Sequence, residues 1–220
     1  MVLLRANTYI LSHTPLCKKV DRLVYLILGN EVVLLRMREN VKDKILEVAS
    51  RLFYDQGYNL TGINQIIEEA DIARASLYNH FDSKTALLLA YLDKTRQDWF
   101  ADLDEFLRPI ADPREKILAI FDFRIGRQRQ LDFKGCHFSK ISAEASREEK
   151  KVFELVRNHK ERLRNTIEEL VLQVNHRQAL SNDLLTDTIF LLLEGGLATG
   201  AVYRSSTPLE NAKKIVNTLL

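Results

Sequence analysis

From Val41 onward the apolar positions recur at helical intervals. Val41, Ile45, Val48, Ala49, Leu52 and Phe53 lie on one face of a helix that follows the polar run Arg38-Glu39-Asn40. Gly57 supplies a stop, and Thr61 stands where it can cap a short helix whose core positions are Ile63, Ile66 and Ile67. Ala70-Asp71-Ile72-Ala73 separate that helix from a second short one carrying Leu77 and Phe81. Further starts are marked by Asp112-Pro113-Arg114-Glu115, by Ser146 with Glu149, and by Thr207-Pro208-Leu209-Glu210, each a cap with an acid in the first turn. Val152, Phe153, Val156, Leu163, Ile167, Leu170, Val171 and Val174 trace a stripe that predicts a helix of about 30 residues. Leu184 to Leu197 is apolar nearly all round and is expected to be buried on several sides. Leu209, Ala212, Ile215, Val216 and Leu219 form a last stripe. The pattern predicts an all-α chain.

Residues 1–36 fit neither a sustained helical period nor a clean strand alternation, although Val20 to Leu35 is rich in apolar and β-branched residues around Gly29-Asn30. Met37, where the pattern changes, reads as a native start. The preceding residues are expected to be an extension from an upstream start codon, with a genuine N-terminal arm as the alternative.

Composition narrows the class. The chain has 220 residues, 46% hydrophobic and 28% charged, with 8 Gly and 4 Pro, a balance that suits a soluble, helix-rich protein. Cys17 and Cys136 have no Cys or His at ligand spacing, so neither a disulfide framework nor a metal site is expected, and a reducing cytoplasm fits best. The apolar run Leu23 to Leu28 is too short for a membrane span and lacks the features of a signal peptide. The net charge of +2 arises from +3 in residues 1–36 and −1 thereafter. Between Met37 and Phe100 eight Arg and Lys face ten acids, so any nucleic-acid contact must rest on a few well-placed cations.

Two short helices about a tight turn constitute a helix-turn-helix at roughly residues 61–81. Its second helix leaves Arg74, Ala75, Ser76, Tyr78, Asn79 and His80 to meet base edges and phosphates of duplex DNA. The run from Gly57 to Leu88, above all Leu77-Tyr78-Asn79-His80-Phe81-Asp82-Ser83-Lys84 followed by Ala86-Leu87-Leu88, resembles the DNA-binding domain of the TetR family of bacterial regulators. The resemblance implies a three-helix DNA-binding domain over 37–100 and a helical ligand-binding and dimerisation domain over 101–220. It further implies that Thr61 caps the second helix and touches a phosphate, that Arg74, Ala75 and Ser76 face bases, and that Tyr78, His80 and Lys84 bind phosphates. Asn64 and Asn79 are further candidates. Arg74 is the natural partner for guanine, while Ala75 stands where the family commonly has glycine and can meet a thymine methyl. Asp71 occupies a turn position that is usually glycine and must tolerate a left-handed backbone.

The same resemblance implies a homodimer in which helices near 182–204 and 208–219 pair with their copies, with Leu192, Gly195, Gly196, Gly200 and Ile215 at the contact and a palindromic operator as the DNA partner. A small-molecule effector is expected among Trp99, Phe121, Arg124, Cys136, His137, Phe138 and Phe153, acting on a helix that begins near Gly135 and releasing a repressor from its site. No cofactor, metal, membrane or enzymatic activity is expected. Two alternatives remain: control by a protein partner, and an enzyme using Cys136 as nucleophile with His137 as base. The second is disfavoured because adjacent helical residues do not face each other.

Overall fold

The computed structural model describes residues 23–28 and 31–36 through their backbone, and residues 40–174 and 180–220 in full. Strands β1 (Leu23–Leu28) and β2 (Glu31–Arg36) pair antiparallel, Leu23 opposite Arg36 and Leu28 opposite Glu31. The two strands fall on the Val20 to Leu35 stretch, β2 running one residue past it, whose apolar and β-branched richness shows no clean strand alternation. The expected start at Met37, the Gly29-Asn30 signal and Cys17 lie outside the described residues.

Everything described after the hairpin is helical: α1 (Val41–Asp55), α2 (Ile63–Glu69), α3 (Arg74–His80), α4 (Lys84–Leu107), α5 (Pro113–Gln130), α6 (His137–Glu144), α7 (Lys150–Val171), α8 (Asn182–Tyr203) and α9 (Thr207–Leu219). Polar caps set several starts by accepting an otherwise unpaired backbone N–H. Asn40 takes that of Lys42 at 3.0 Å, Ser83 that of Ala86 at 3.0 Å, and Asp112 that of Arg114 at 3.1 Å ahead of Pro113. Other starts move from their expected places. Gly62, not Thr61, caps α2, and Ser206, not Thr207, precedes α9. Ser146 opens a turn in which its own N–H donates to the Glu149 carboxylate at 3.1 Å, so α7 begins at Lys150; it ends at Val171, with 22 residues rather than about 30.

Ile45, Ala49, Phe53, Ile66, Leu77 and Phe81 bring α1, α2 and α3 together over the first half of α4, at Leu87, Leu88 and Leu92. The second half of α4 carries Trp99, Phe100, Leu103 and Leu107 into the packing of α5 and α7, on which α8 and α9 rest in turn. The boundary expected at residue 100 therefore falls inside one continuous helix.

Helix α8 is long and apolar enough to cross a membrane by length and composition alone, yet Leu185, Ile189, Leu193 and Leu197 are buried in the body of the protein. Its other face is open, which corrects the expectation of burial on several sides. Leu184, Leu191 and Val202 are 53%, 66% and 78% exposed. With Thr188, Gly195 and Ala198 they follow the alternating four- and three-residue spacing of a helix–helix seam.

The glycines of α8 divide between the two faces. A Cβ on Gly196 would lie 3.2 Å from the Leu209 backbone, and one on Gly200 would lie 2.9 Å from the Ser205 carbonyl oxygen, so both serve close packing within the subunit rather than a contact between copies. Gly195 alone faces open space, and Leu192 is half-buried at the edge of the core where its neighbour Leu191 points outward. Gly196→Leu is therefore expected to cost roughly 1–3 kcal/mol of folding stability through overpacking, read as a lower denaturation midpoint, whereas Gly195→Leu leaves that midpoint in place.

Candidate DNA-binding site and its link to the helical core

The turn between α2 and α3 closes through Asp71, held at φ 48°, the left-handed conformation that an aspartate tolerates better than most side chains. Leu77 is wholly buried and pins α3 to the body from behind. Outward, α3 presents Arg74, Ala75, Tyr78, Asn79 and His80 as exposed residues, with Ser76 half-buried beside them. The Arg74 guanidinium lies 5.9 Å from the Tyr78 ring centre, so the best candidate base reader and a phosphate-contact candidate are neighbours on one face. Asn64 is exposed on α2.

Two expected DNA contacts sit differently. Thr61 is 1% exposed, and its hydroxyl donates to the Gly57 carbonyl at 2.7 Å, so it braces the α1–α2 loop and has no surface to offer a phosphate. Lys84 extends over the Tyr58 ring, its ammonium 4.3 Å from the centre, and burial followed by the opposing pull of Glu144 and Glu149 leaves its pKa below the usual lysine value. A phosphate must draw this ammonium off the ring. Lys42, passed over in the sequence reading as one cation among eight, lies 5.9 Å from the Phe81 ring at the end of α3.

Behind the helix-turn-helix, α6 and the loop after it grip the α1–α2 loop. Glu144 accepts the Asn59 backbone N–H at 2.9 Å, and its own carbonyl accepts the Asn59 side-chain amide at 3.0 Å. Gly57, at φ 99°, lets this carboxylate approach so closely that a Cβ would stand 2.9 Å from both its oxygens. Glu149 accepts from the Thr85 hydroxyl at 3.0 Å and the Tyr58 hydroxyl at 3.3 Å. At the other end of α6 the His137 ring stacks on Tyr54 at 3.7 Å and shares a hydrogen bond with the Tyr91 hydroxyl, while Tyr54 donates to the Gly135 carbonyl at 2.9 Å. Together these contacts tie α6 and the residues flanking it to α1, the α1–α2 loop and α4.

The candidate effector residues fall into two places. Trp99, Phe121, Arg124, Cys136 and Phe138 are buried in the core and His137 is half-buried against Tyr54, but Phe153 borders a shallow surface groove with Arg147, Lys150 and Arg157. Phe153 is therefore separated from the others. The buried group centres on a residue the sequence reading missed, His159. It is fully buried, stacked on Phe138 at 3.7 Å, and edge-on to Trp99 at 5.1 Å. Its signal was legible: His159 occupies the apolar stripe of α7 between Val156 and Leu163. Arg124 lies 4.7 Å over Trp99 and shares the Glu194 carboxylate with Lys160, at 3.5 Å and 2.5 Å. Lys160 also stands 3.6 Å from the Cys136 sulfur.

The field at this centre is positive. Burial first, then the cations Arg124 and Lys160, push His159 down to about 2; burial first, then Arg127, Lys140 and Arg124, push His137 down to about 3. Burial acts to raise the Cys136 thiol, but Lys160 and Arg124 outweigh it and hold the pKa below the usual value. A neutral His137 hydrogen-bonded to Tyr91 and a Cys136 beside Lys160 have separate partners, an arrangement that offers no nucleophile–base pair.

A short helix pair with an exposed polar face, mounted on a larger helical body, is the architecture of a helix-turn-helix regulator. Comparison with known proteins gives the family. Residues 45–91 match the bacterial regulatory proteins of the tetR family. It is 26% identical over 181 residues, 81% of its length and 96% of the relative's, to the HTH-type transcriptional regulator LmrA of Bacillus subtilis (strain 168). Identity to the HTH-type transcriptional repressor DhaR of Mycobacterium sp. (strain GP1) is 24%, covering 81% of this chain and 91% of that one. The crystal structure of SCO4454, a TetR-family regulator from Streptomyces coelicolor, superposes with a TM-score of 0.71 at 25% identity over 81% of this chain and 95% of its own. The chain is a DNA-binding transcriptional regulator and not an enzyme.

The neutral His159 makes the fold acid-sensitive. Its proton affinity is lower folded than unfolded, so the unfolded chain takes up the extra proton as pH falls below about 6.5. Stability is expected to be insensitive to this residue above that pH and to fall by up to about 1.4 kcal/mol per pH unit for this one histidine from there toward about 2. Urea unfolding at pH 7, 6 and 5 measures the slope. His159→Phe, which keeps a flat ring against Phe138, should flatten it by about one proton, and an unchanged slope would show that the acid sensitivity arises elsewhere.

Proposed function

We propose that the protein is a cytoplasmic, homodimeric repressor that binds a palindromic operator through α3 and leaves it when a small molecule occupies the helical body. The observation that carries the DNA half is the face of α3. Arg74, Ala75, Tyr78, Asn79 and His80 are exposed together on a helix whose back is fixed by Leu77. In this reading Arg74 and Ala75, with Ser76 at the margin, read bases, and Tyr78, His80, Asn64 and Asn79 position the helix on phosphates. Lys84 joins them once drawn from Tyr58. Residues 37–100 act as the DNA-binding unit and 101–220 as the ligand-binding and dimerisation unit.

Support for the dimer comes from the open seam of α8, Leu184, Leu191, Gly195 and Val202, beside Ile215 of α9, which is 48% exposed. A two-fold pairing of such seams sets two copies of α3 about one DNA turn, roughly 34–36 Å, apart. Release follows from the joint at α6. A ligand that moves α6 pulls on Glu144 and His137 together, and these hold the α1–α2 loop and the end of α1 that lead into the helix-turn-helix. A ligand need only favour the arrangement whose spacing no longer fits the operator. The name of the relative DhaR agrees with repression as the sign of control.

Selection of bound sequences from random duplex DNA tests the DNA reading. The chain is expected to enrich a palindrome. Arg74→Ala should lose about 1–3 kcal/mol of discrimination at one base pair per half-site, while Tyr78→Phe should weaken all sequences alike. Enrichment by Arg74→Ala equal to that of the parent would remove Arg74 from base reading. In the same preparation Leu191→Asp should sediment as a monomer and bind a half-site only; a persistent dimer would move the interface off α8.

A further inference from the structure

The interior centre leaves polar groups unpaired. Trp99 Nε1, Arg124 Nε and both ring nitrogens of His159 are buried with no hydrogen-bond partner among the described residues, although these three residues are 3%, 4% and 0% exposed. They are one cluster, since the Trp99 ring lies 5.1 Å from His159 and 4.7 Å from the Arg124 guanidinium. Each buried donor left unpaired costs about 1–3 kcal/mol, and native proteins keep few of them. A histidine serving only as packing on α7 accounts for neither of its own nitrogens nor for the neighbouring Trp99 and Arg124 donors.

The chemistry of the missing partner follows from the donors. Indole and guanidinium nitrogens only donate, so what meets them must accept, as an oxygen does. Charge gives its sign. Two cations, Arg124 and Lys160, face the single carboxylate of Glu194, while Arg96 and Arg127 nearby are already matched by Asp93 and Asp102. At Cys136 the two cations overcome the raising effect of burial, and at His159 and His137 cations add to a lowering that burial begins. Shape comes from the rings. Phe138 and His159 are stacked 3.7 Å apart within 11° of parallel, with Trp99 edge-on and Phe100 tilted to the imidazole, so flat surfaces now cover one another and a planar ring is the shape that can replace one of them. Lys160 and Glu194 retain about a fifth of their side-chain exposure, so the polar end of the cluster reaches solvent and marks the route in.

We infer that the effector is a flat aromatic anion, its ring inserted beside His159, Phe138 and Trp99 and its acidic oxygen held by Arg124 and the Trp99 N–H. The inference rests on the reading that the helical body binds a small molecule, but not on the DNA reading. The ring takes the place of one ring–ring contact in the cluster, and the oxygen satisfies donors that now have no acceptor. Carboxylate and phenolate share this chemistry.

Calorimetry on the full chain without DNA separates the possibilities, using 2-naphthoate and 2,4-dinitrophenolate as the two anions. The same naphthalene skeleton as 2-naphthylmethylammonium, and decanoate as an aliphatic acid, are the controls. At least one aromatic anion should bind, raise the thermal midpoint and perturb the emission of Trp99, the one tryptophan of the chain. Arg124→Met, in which Lys160 still pairs with Glu194, should weaken that binding by about tenfold or more, and Trp99→Phe, which keeps a ring but removes the donor, by several-fold. The Trp99→Phe variant keeps the test decisive if Arg124→Met fails to fold. Absence of binding by both anions overturns the inference, as does equal binding of the ammonium or of decanoate, or affinity indifferent to both substitutions. Binding without release of a selected operator leaves this inference standing and sinks the repressor–effector reading instead; operator selection without anion binding does the reverse.

Discussion

Helix α4 cannot bend without loosening two cores at once, and the rest of the molecule is arranged around that constraint. Its 24 residues, roughly 36 Å of helix, carry Leu87, Leu88 and Leu92 into the packing of α1, α2 and α3 and Trp99, Phe100 and Leu103 into the packing of α5 and α7. A displacement felt at Trp99 is therefore transmitted as rigid motion, since close-packed interiors shift between arrangements more readily than they compress. The loop between α1 and α2 has no such rod. It is positioned from outside by Glu144 and Glu149, so α3 takes its orientation from both a stiff helix behind and a hydrogen-bonded joint above.

Most of this architecture was legible in the sequence. Apolar spacing located α1, α2, α3, α7, α8 and α9, because helices buried on one face must repeat their apolar residues each turn, and the Asp112 cap marked the start of α5, while the length of α4 was not traced. The caps were found to within a residue or a turn, with errors where two polar residues compete. Thr61 has the right chemistry to cap α2, but its hydroxyl is engaged by the Gly57 carbonyl and Gly62 takes the position. The exposed face of α3 was equally readable, since everything it needs lies within one short helix. Other features were not local. The partition of Gly195 from Gly196 depends on where α9 crosses α8, and the separation of Phe153 from Phe138 depends on which side of α7 each one leaves. The hairpin at residues 23–36 escaped because its strands do not alternate apolar and polar residues.

The interior site shows why aromatic content is a weak guide and a misplaced polar residue a strong one. Phe121 is a core residue like any other, whereas His159 breaks an otherwise apolar stripe and meets Trp99, Phe100 and Phe138 at once. Arg124 repeats the pattern on α5, a cation in a helix whose neighbouring positions Phe121, Phe123 and Ile125 are buried. Two such interruptions in one core are more informative than its aromatics, because burying their nitrogens without partners has a cost that packing alone does not recover.

Gly57 and Glu144 are separated by 87 positions in the chain and by less than the width of a methyl group in space. Neither residue is free to drift alone. A side chain at 57 expels the carboxylate from the Asn59 amide, and it must also adopt a backbone conformation that only glycine enters without strain. Shortening the acid at 144 leaves Asn59 without its acceptor. Among descendants of this chain a change at either position calls for a matching change at the other, so the joint is inherited as a pair rather than as two residues.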